Sequence, residues 1–199
     1  MRLILRTCKA DGTSYHDFKW PSEVGALVEA PDWDPSPCCG GGLHGYLWGE
    51  GHGQQLRQED DAIWQVVEVP DDDEIVHITE YDAADLKMKF CRGSMAFSGS
   101  RDDAIAYVAE RAPGKAVYGA KVIVGLRGTA TAGDSGIATA GDSGAATAGD
   151  RGEIRIRYWH QDSDRYRCAI GYVGESEIES GAKYRCTEAG VLVPVEDEK

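Results

Sequence analysis

The segment Gly128–Arg151 reads GTATAGDS, GIATAGDS and GAATAGDR, three copies of one eight-residue phrase. A short fixed period is typical of repeat architectures, in which each unit packs against its neighbours. Each octad divides into a four-residue strand and a four-residue turn containing Gly-Asp-Ser/Arg-Gly. In these turns we expect glycine to supply positive φ and aspartate to bond the backbone two residues further on. The repeats therefore predict a mainly β fold.

Alternation along each strand separates the alanines from the threonines, because successive side chains of a strand point to opposite faces. Thr129 and Thr131 share one face of the first octad, and we place the alanines of the other face inside. The same register extends one octad further in each direction, where branched residues close the ends of a column of small ones. The predicted inner positions are Val122, Val124, Ala130, Ala132, Ala138, Ala140, Ala146, Ala148, Ile154 and Ile156.

Two geometries fit this pattern. In one, each octad is half of a flattened coil, so that two octads make one turn of a two-sided β-solenoid. In the other, the octads are successive strands of an antiparallel meander. The solenoid is favoured because it closes two alanine faces on each other, whereas a bare meander would bury little more than about 0.8 kcal/mol per methyl-sized group. The solenoid places Thr131 and Thr147 on one outer face and Thr139 on the opposite one.

The sequence predicts three parts: an α+β N-terminal domain over 1–112, the β-solenoid over 113–160 and a C-terminal β cap over 161–199. In the first part, Ser100 and Asp103 form a capping box at the start of a helix that ends near Arg111. In the last part, alternating residues predict two β-hairpins that cap the repeats.

The formal net charge of −13 comes mainly from residues 1–112, which hold 21 acidic and 10 basic side chains. Such a chain repels phosphate backbones, so direct nucleic-acid binding is not expected. The same charge would attract a host protein or ribonucleoprotein complex with a basic surface. The residues predicted to contact that partner are Glu59, Asp60, Asp61, Asp71, Asp72, Asp73 and Glu74.

The segment Gly40–His52 is the best candidate for a ligand loop, because glycines that bring backbone close to a ligand stand beside aromatic and ionisable residues. The alternative is a tight loop whose side chains pack internally. No catalytic arrangement has a recognisable spacing, and we expect neither cofactor nor metal. Calcium binding by Asp134, Asp142 and Asp150 is the weaker interpretation, since the glycine spacing of calcium-binding repeats is missing. The predicted ligand-loop residues are Gly42, His44, Trp48, Glu50 and His52.

Four stretches together resemble a family of phage and prophage proteins in which an N-terminal domain precedes GTATAGDSG-type repeats. They are Thr13–Trp20, Gly42–Glu50, Ser98–Val108 and the repeats with their exit strand Ile154–Trp159. The resemblance implies a phage accessory gene and carries no catalytic residues.

Three functions follow as hypotheses. The first is a non-enzymatic phage-derived inhibitor of a host defence complex, such as an anti-CRISPR protein, in the host cytoplasm. The second is a nucleotide-binding or ADP-ribosyltransferase-like enzyme that uses the Gly40–His52 loop. The third is a structural repeat protein that self-associates into a homo-oligomer. Ice binding is a variant suggested by the threonines, but three octads make a small plane, and Ile137 and Ala145 interrupt the threonine pairs.

Overall fold

The computed structural model describes residues 1–80 and 86–195. The chain is mainly β and divides into two compact units, Met1–Ala112 and Pro113–Lys199. Each unit has a hydrophobic core of its own. The finer division at residue 160 stays a prediction.

An antiparallel sheet of seven strands forms the first unit. The strands are β1 (Arg2–Cys8), β2 (Leu27–Glu29), β3 (Leu43–Leu47), β4 (Ile63–Val69), β5 (Ile75–His77), β6 (Lys87–Phe90) and β7 (Arg92–Gly99). Their order in the sheet is β2-β7-β4-β1-β3-β6-β5. One face of the sheet carries a core that includes Ile4, Val67 and Phe90. Strand β3 lies inside the glycine-rich segment Gly40–His52, for which the sequence predicts a loop.

A single α-helix in the described part of the first unit, α1 (Arg101–Arg111), packs against β1, β4 and β7. The Ser100 hydroxyl accepts a hydrogen bond from the Asp103 amide at 3.3 Å and donates one to the Asp103 carboxylate at 2.7 Å. The predicted helix and its cap are confirmed. The segment Ile75–Tyr81 (IVHITEY) predicts a strand from the sequence; the observed strand ends at His77, and Tyr81 lies outside the described residues.

Two four-stranded sheets form the second unit. One sheet contains β8 (Lys121–Ile123), β10 (Ile137–Ala140), β12 (Glu153–His160) and β13 (Arg165–Tyr172), in the order β13-β12-β10-β8. The other contains β9 (Thr129–Thr131), β11 (Ala145–Thr147), β14 (Lys183–Cys186) and β15 (Leu192–Pro194), in the order β15-β14-β11-β9.

Strands sixteen residues apart are parallel neighbours within the repeats. Ala138 pairs with Val122 and with Ile154 in one sheet, and Ala146 pairs with Ala130 in the other. Successive octads therefore alternate between the two sheets, and the antiparallel meander is not observed in the repeats. The hairpins predicted after the repeats are confirmed, since β13 pairs antiparallel with β12 and β15 pairs antiparallel with β14.

The inner alanines of both sheets share one core. The six inner alanines of the three octads are at most 1% exposed, and they belong to a single cluster with the fully buried Ile154 and Ile156. Val122 and Val124 pack against this cluster while half-buried. The prediction that alanines lie inside and branched residues close the column is confirmed.

In the turns, the residue with positive φ is not the one that the sequence predicts. Positive φ falls on Ser135, Ser143 and Arg151, between 56° and 58°, and not on the glycines of the octads. The glycines are required by close stacking instead: a Cβ on Gly136 would lie 2.8 Å from the Ala120 carbonyl oxygen. Rungs about 4.8 Å apart leave no room for a side chain where turns lie directly over one another.

Candidate functional site

The outer face of β9 and β11 carries the threonines of the first and third octads. Thr131 pairs in register with Thr147, and Thr129 pairs with Ala145. Thr129 is exposed and the other three are partly exposed. Neighbouring strands lie about 4.8 Å apart, and alternate residues on one strand about 6.6 Å apart. This surface, the threonine face, therefore places three threonines and Ala145 at regular intervals in two directions.

Backbone hydrogen bonds between the β9 and β11 segments hold the threonine face together. The Ala132 amide donates to the Thr147 carbonyl at 3.0 Å, and the Ala145 amide donates to the Gly128 carbonyl at 3.0 Å. The buried alanines leave no space for the strands to shift inward. The result is a rigid surface, because the positions of the threonines follow from the backbone and not from flexible side chains.

Aspartates of the turns continue the same stacking. The Asp134 carboxylate accepts a hydrogen bond from the Asp150 amide at 2.9 Å, sixteen residues away. The parallel register brings the Asp150 amide within reach of this carboxylate. Asp134 thus helps to hold the turns of the first and third octads together.

The opposite outer face, on β8, β10 and β12, has different chemistry. Thr139 lies there, as the two-sided geometry predicts, beside the partly exposed Ile137. On β12, Arg155 pairs with Thr139 and Glu153 pairs with Ile137. The side chains of Glu153 and Arg155 form an ion pair at 2.6 Å. The threonine array is therefore confined to β9 and β11, and it ends at β14, which places Lys183 and Arg185 beside β11.

The predicted ligand-loop residues do not form one loop. Strand β3 separates them, with Gly42 and His44 at its start and Trp48, Glu50 and His52 in the turns after it. Gly42 has φ of 147°, and a Cβ there would lie 3.1 Å from the ring of Trp33. The composition of Gly40–His52 predicts a loop because glycine is rare in strands. Cross-strand pairing with β1 and β6 overrides that preference.

His44 lies largely buried on β3, directly opposite Lys89 on β6. Burial, together with the nearby cations Lys87 and Lys89, lowers its pKa from 6.5 to about 4. Its Nε2 has no hydrogen-bond partner among the described residues. The imidazole is therefore neutral near pH 7 and a weak base, which does not favour a role in acid–base chemistry.

The acidic residues predicted to bind a basic partner lie at two separate places. Residues 59–61 precede β4 and residues 71–74 follow it, so that a strand of seven residues, about 23 Å long, separates them. Within the second group, Asp71 pairs with the N-terminal amine at 2.6 Å and Asp73 pairs with Arg92 at 2.9 Å. The structure does not gather these carboxylates into one surface, and their binding of a partner stays a prediction.

Comparisons with known proteins connect this chain to ice nucleation proteins. It is 36% identical over 118 residues to the ice nucleation protein of Xanthomonas campestris pv. translucens, a match that covers 59% of this chain and 7% of the relative. It is 33% identical over 108 residues to the ice nucleation protein of Pseudomonas fluorescens, covering 54% of this chain and 8% of the relative. The chain thus spans less than a tenth of the length of either relative. No family model and no solved structure matches it.

These relatives correct the functional interpretation of the sequence. The resemblance to phage and prophage proteins is wrong, and so is the inhibition of host defence or CRISPR systems inferred from it. The nucleotide-binding, ADP-ribosyltransferase-like and self-association hypotheses receive no support. The sequence counts against ice binding because three octads make a small plane and because Ile137 and Ala145 interrupt the threonine pairs. In the structure Ile137 lies in the other sheet, whereas Ala145 stays beside Thr129. The register of sixteen residues, which the column of inner residues already implied, shows that alternate octads are the ones that lie side by side.

No helix within residues 1–80 and 86–195 combines the length and the apolar character needed to cross a bilayer. The cytoplasmic location expected from the sequence stays a prediction.

Proposed function

We propose that this protein binds ice through the threonine face of its repeats. The observation that carries the proposal is the in-register pairing of Thr131 with Thr147 on an outer face above a core of alanines. The names of the two relatives support ice as the ligand. Ice nucleation is the activity in the names of these relatives, and we propose that the repeats of this chain contribute to the same activity by binding ice.

We further propose that the two sheets of the repeats are the two sides of a short β-solenoid with sixteen residues per turn. Parallel pairing at that interval in both sheets supports this geometry. In a solenoid the outer residues of each side form a straight array whose length grows with the number of turns. The three octads here supply two threonine-bearing strands on one side.

The chemistry of threonine suits a solid made of water. Its hydroxyl group donates one hydrogen bond and accepts others, whereas its methyl group excludes loosely held water. Ordering a water molecule costs up to about 2 kcal/mol of entropy, a cost that a rigid array shares among several regularly placed partners. A flat face of β-branched residues, whose χ1 angles are restricted, loses little side-chain entropy on binding.

Ice-affinity partitioning tests this proposal. A fluorescently labelled chain is placed in water that freezes slowly, and the fraction incorporated into the ice is measured, with droplet-freezing temperature as a second readout. We expect wild-type protein to enter the ice. The double variant Thr131→Glu/Thr147→Glu should stay in the liquid, because two carboxylates with their own hydration shells would disrupt the array.

The matched control is Thr139→Glu, which changes the same position of the second octad on the opposite sheet. It should enter ice as the wild type does, and circular dichroism should show all three proteins folded. Exclusion of the wild-type protein from ice, with a freezing temperature equal to that of buffer, would refute ice binding. Equal loss in Thr139→Glu and the double variant would refute the assignment to the threonine face.

A further inference from the structure

Two adjacent cysteines, Cys38 and Cys39, are exposed in the segment that leads into β3. The Lys87 ammonium, at the start of β6, donates a hydrogen bond to the Cys39 sulfur at 3.8 Å, although the two residues are 48 apart in sequence. The Cys39 amide donates a hydrogen bond to the Glu80 carboxylate at 2.7 Å. We call Cys38, Cys39, Glu80 and Lys87 the thiol–lysine cluster. It places the nitrogen of a lysine against an accessible sulfur.

Burial holds the amine of Lys87 in this position. The residue is only 7% exposed, whereas most lysines extend into solvent. Its backbone is fixed by pairing with Tyr46 on β3. The Thr79 amide donates to the Pro37 carbonyl at 3.1 Å, a bond that ties the segment before the cysteines to the residues that precede Glu80. The Cys39 sulfur therefore stays open to a small oxidant while the amine remains in contact with it.

We propose that Cys39 and Lys87 form a site of reversible oxidative modification, at which hydrogen peroxide joins the two side chains as a sulfenamide. Peroxide first transfers one oxygen atom to the thiol, which yields Cys39 sulfenic acid and water, so that the sulfur is oxidised and the peroxide reduced. The Lys87 nitrogen, after releasing a proton to solvent, attacks this sulfur. The S–N bond forms, the S–O bond breaks, and the hydroxyl leaves as water with a second proton from the nitrogen. An external thiol that attacks the sulfur restores the amine and, by exchange, the free cysteine.

Cys38 is the competing nucleophile, and two features count against it. The peptide between the two cysteines is trans, so their Cα atoms are about 3.8 Å apart, below the range of about 4.4–6.8 Å that is usual for disulfides. A hydrogen bond with the Glu80 carboxylate raises the pKa of the Cys38 thiol, and a thiol attacks as its thiolate. An amine in contact with the sulfur gains effective molarities of about 10⁵ M or more, which offset the low neutral fraction of amines near pH 7. Lys87 is therefore the favoured partner of Cys39.

Peptide mass spectrometry of the full chain tests this modification. The protein is treated with hydrogen peroxide, the remaining thiols are alkylated, and the digest is analysed before and after treatment with dithiothreitol. We expect a pair of peptides joined through Cys39 and Lys87, whose mass is the sum of the two peptides less two hydrogen atoms, and which dithiothreitol separates. Cys168, an exposed thiol of the second unit, is the internal control. In a parallel sample with dimedone, Cys168 should give trapped sulfenic acid, and it should never be joined to a lysine.

Variants separate the covalent role of Lys87 from its charge. Lys87→Arg keeps the positive charge but has no nucleophilic amine, since arginine stays protonated. It should form no cross-link, and dimedone labelling of Cys39 should rise at least about tenfold over the wild type, because the competing amine is gone. Cys38→Ser, at an exposed position, should form the cross-link as the wild type does. Circular dichroism verifies that each variant is folded, and if Lys87→Arg does not fold, the products of the wild type and of Cys38→Ser decide.

Three results would overturn the proposal. The first is a disulfide between Cys38 and Cys39 with no peptide joined to Lys87. The second is equal dimedone labelling of Cys39 in the wild type and in folded Lys87→Arg. The third is a cross-link that retains the added oxygen atom, which would replace the S–N bond by an N–O–S linkage. The thiol–lysine cluster lies in the first unit and the threonine face in the second, so none of these results depends on ice binding.

Discussion

Ala138 is the most informative position for testing the packing between the two sheets. It is fully buried in the middle of β10, with Val122 and Ile154 as its neighbours within the sheet and alanines of the other sheet across the core. Substitution by leucine adds three carbon atoms where only methyl groups meet. Overpacking a well-packed core usually costs about 1–3 kcal/mol. We expect Ala138→Leu to reach at least the upper end, about 3 kcal/mol, because backbone hydrogen bonds hold both sheets in place.

Hydrogen exchange of the full chain measures this effect locally. The amides of Ile137 and Glu153, which donate to the carbonyls of Ala120 and Gly136, report the opening of the rungs. In Ala138→Leu their protection should fall by about a hundredfold, which corresponds to about 3 kcal/mol. The adjacent outward residue gives the control, since Thr139→Leu should change protection by no more than about 0.5 kcal/mol. Equal protection in wild type and Ala138→Leu would refute a closely packed alanine interior.

Two further predictions concern the turns and His44. Ser135→Gly should stabilise the second unit by up to about 1 kcal/mol, because Ser135 has φ of 56°, where glycine is unstrained. Gly136→Ala should destabilise the second unit, because the added Cβ would clash with the Ala120 carbonyl. Urea denaturation of both variants measures these changes. The His44 pKa of about 4 lies below the ordinary value of 6.5, so the neutral form stabilises the fold fully above about pH 6.5, and up to about 3 kcal/mol of this is lost as the pH falls toward 4. His44→Gln should therefore show a shallower fall of unfolding free energy over that range, and an identical pH profile for the variant and the wild type would contradict a buried neutral imidazole.

The repeats could be predicted from the sequence in detail because every octad has the same alternation of inner and outer residues followed by the same turn residues. Alternating alanine and threonine fixed the inner and outer faces, and Val122 and Ile154 marked the ends of the column. The turn backbone could not be predicted in the same way. Positive φ is usually assigned to glycine, yet the stacking of rungs needs glycine for space and leaves Ser135 to adopt the left-handed conformation.

The first unit was predicted less well, because non-local pairing decides its structure. Strand β3 lies in a glycine-rich segment whose local preferences favour a loop, and it forms because β1 and β6 flank it. Lys89 alternates with apolar residues and would be expected in solvent, but it is fully buried and donates to the Gly40 carbonyl at 3.0 Å. The two acidic clusters are close in sequence and distant in space, since β4 is extended between them.

Whether the threonines form an ordered surface depends on the sequence interval between neighbouring strands. If strands eight residues apart were neighbours, Ile137 would lie beside Thr129 and interrupt the row of threonines. Strands sixteen residues apart bring Thr131 and Thr147 together. The sequence already predicts Thr131 and Thr147 on one outer face, because two octads make one turn of the favoured geometry, and the strand pairing confirms that they are neighbours.

The pairing of rungs sixteen residues apart, on which the threonine face depends, can be measured directly by NMR couplings across hydrogen bonds. In a uniformly labelled chain, the Ala132 amide nitrogen should show a coupling to the Thr147 carbonyl carbon, and the Val124 amide nitrogen a coupling to the Thr139 carbonyl carbon. A coupling from Ala132 to a carbonyl within Ile137–Ala140 would instead make successive octads neighbours in one sheet. That result would contradict the alternation of octads between two sheets and, with it, the ordered threonine face.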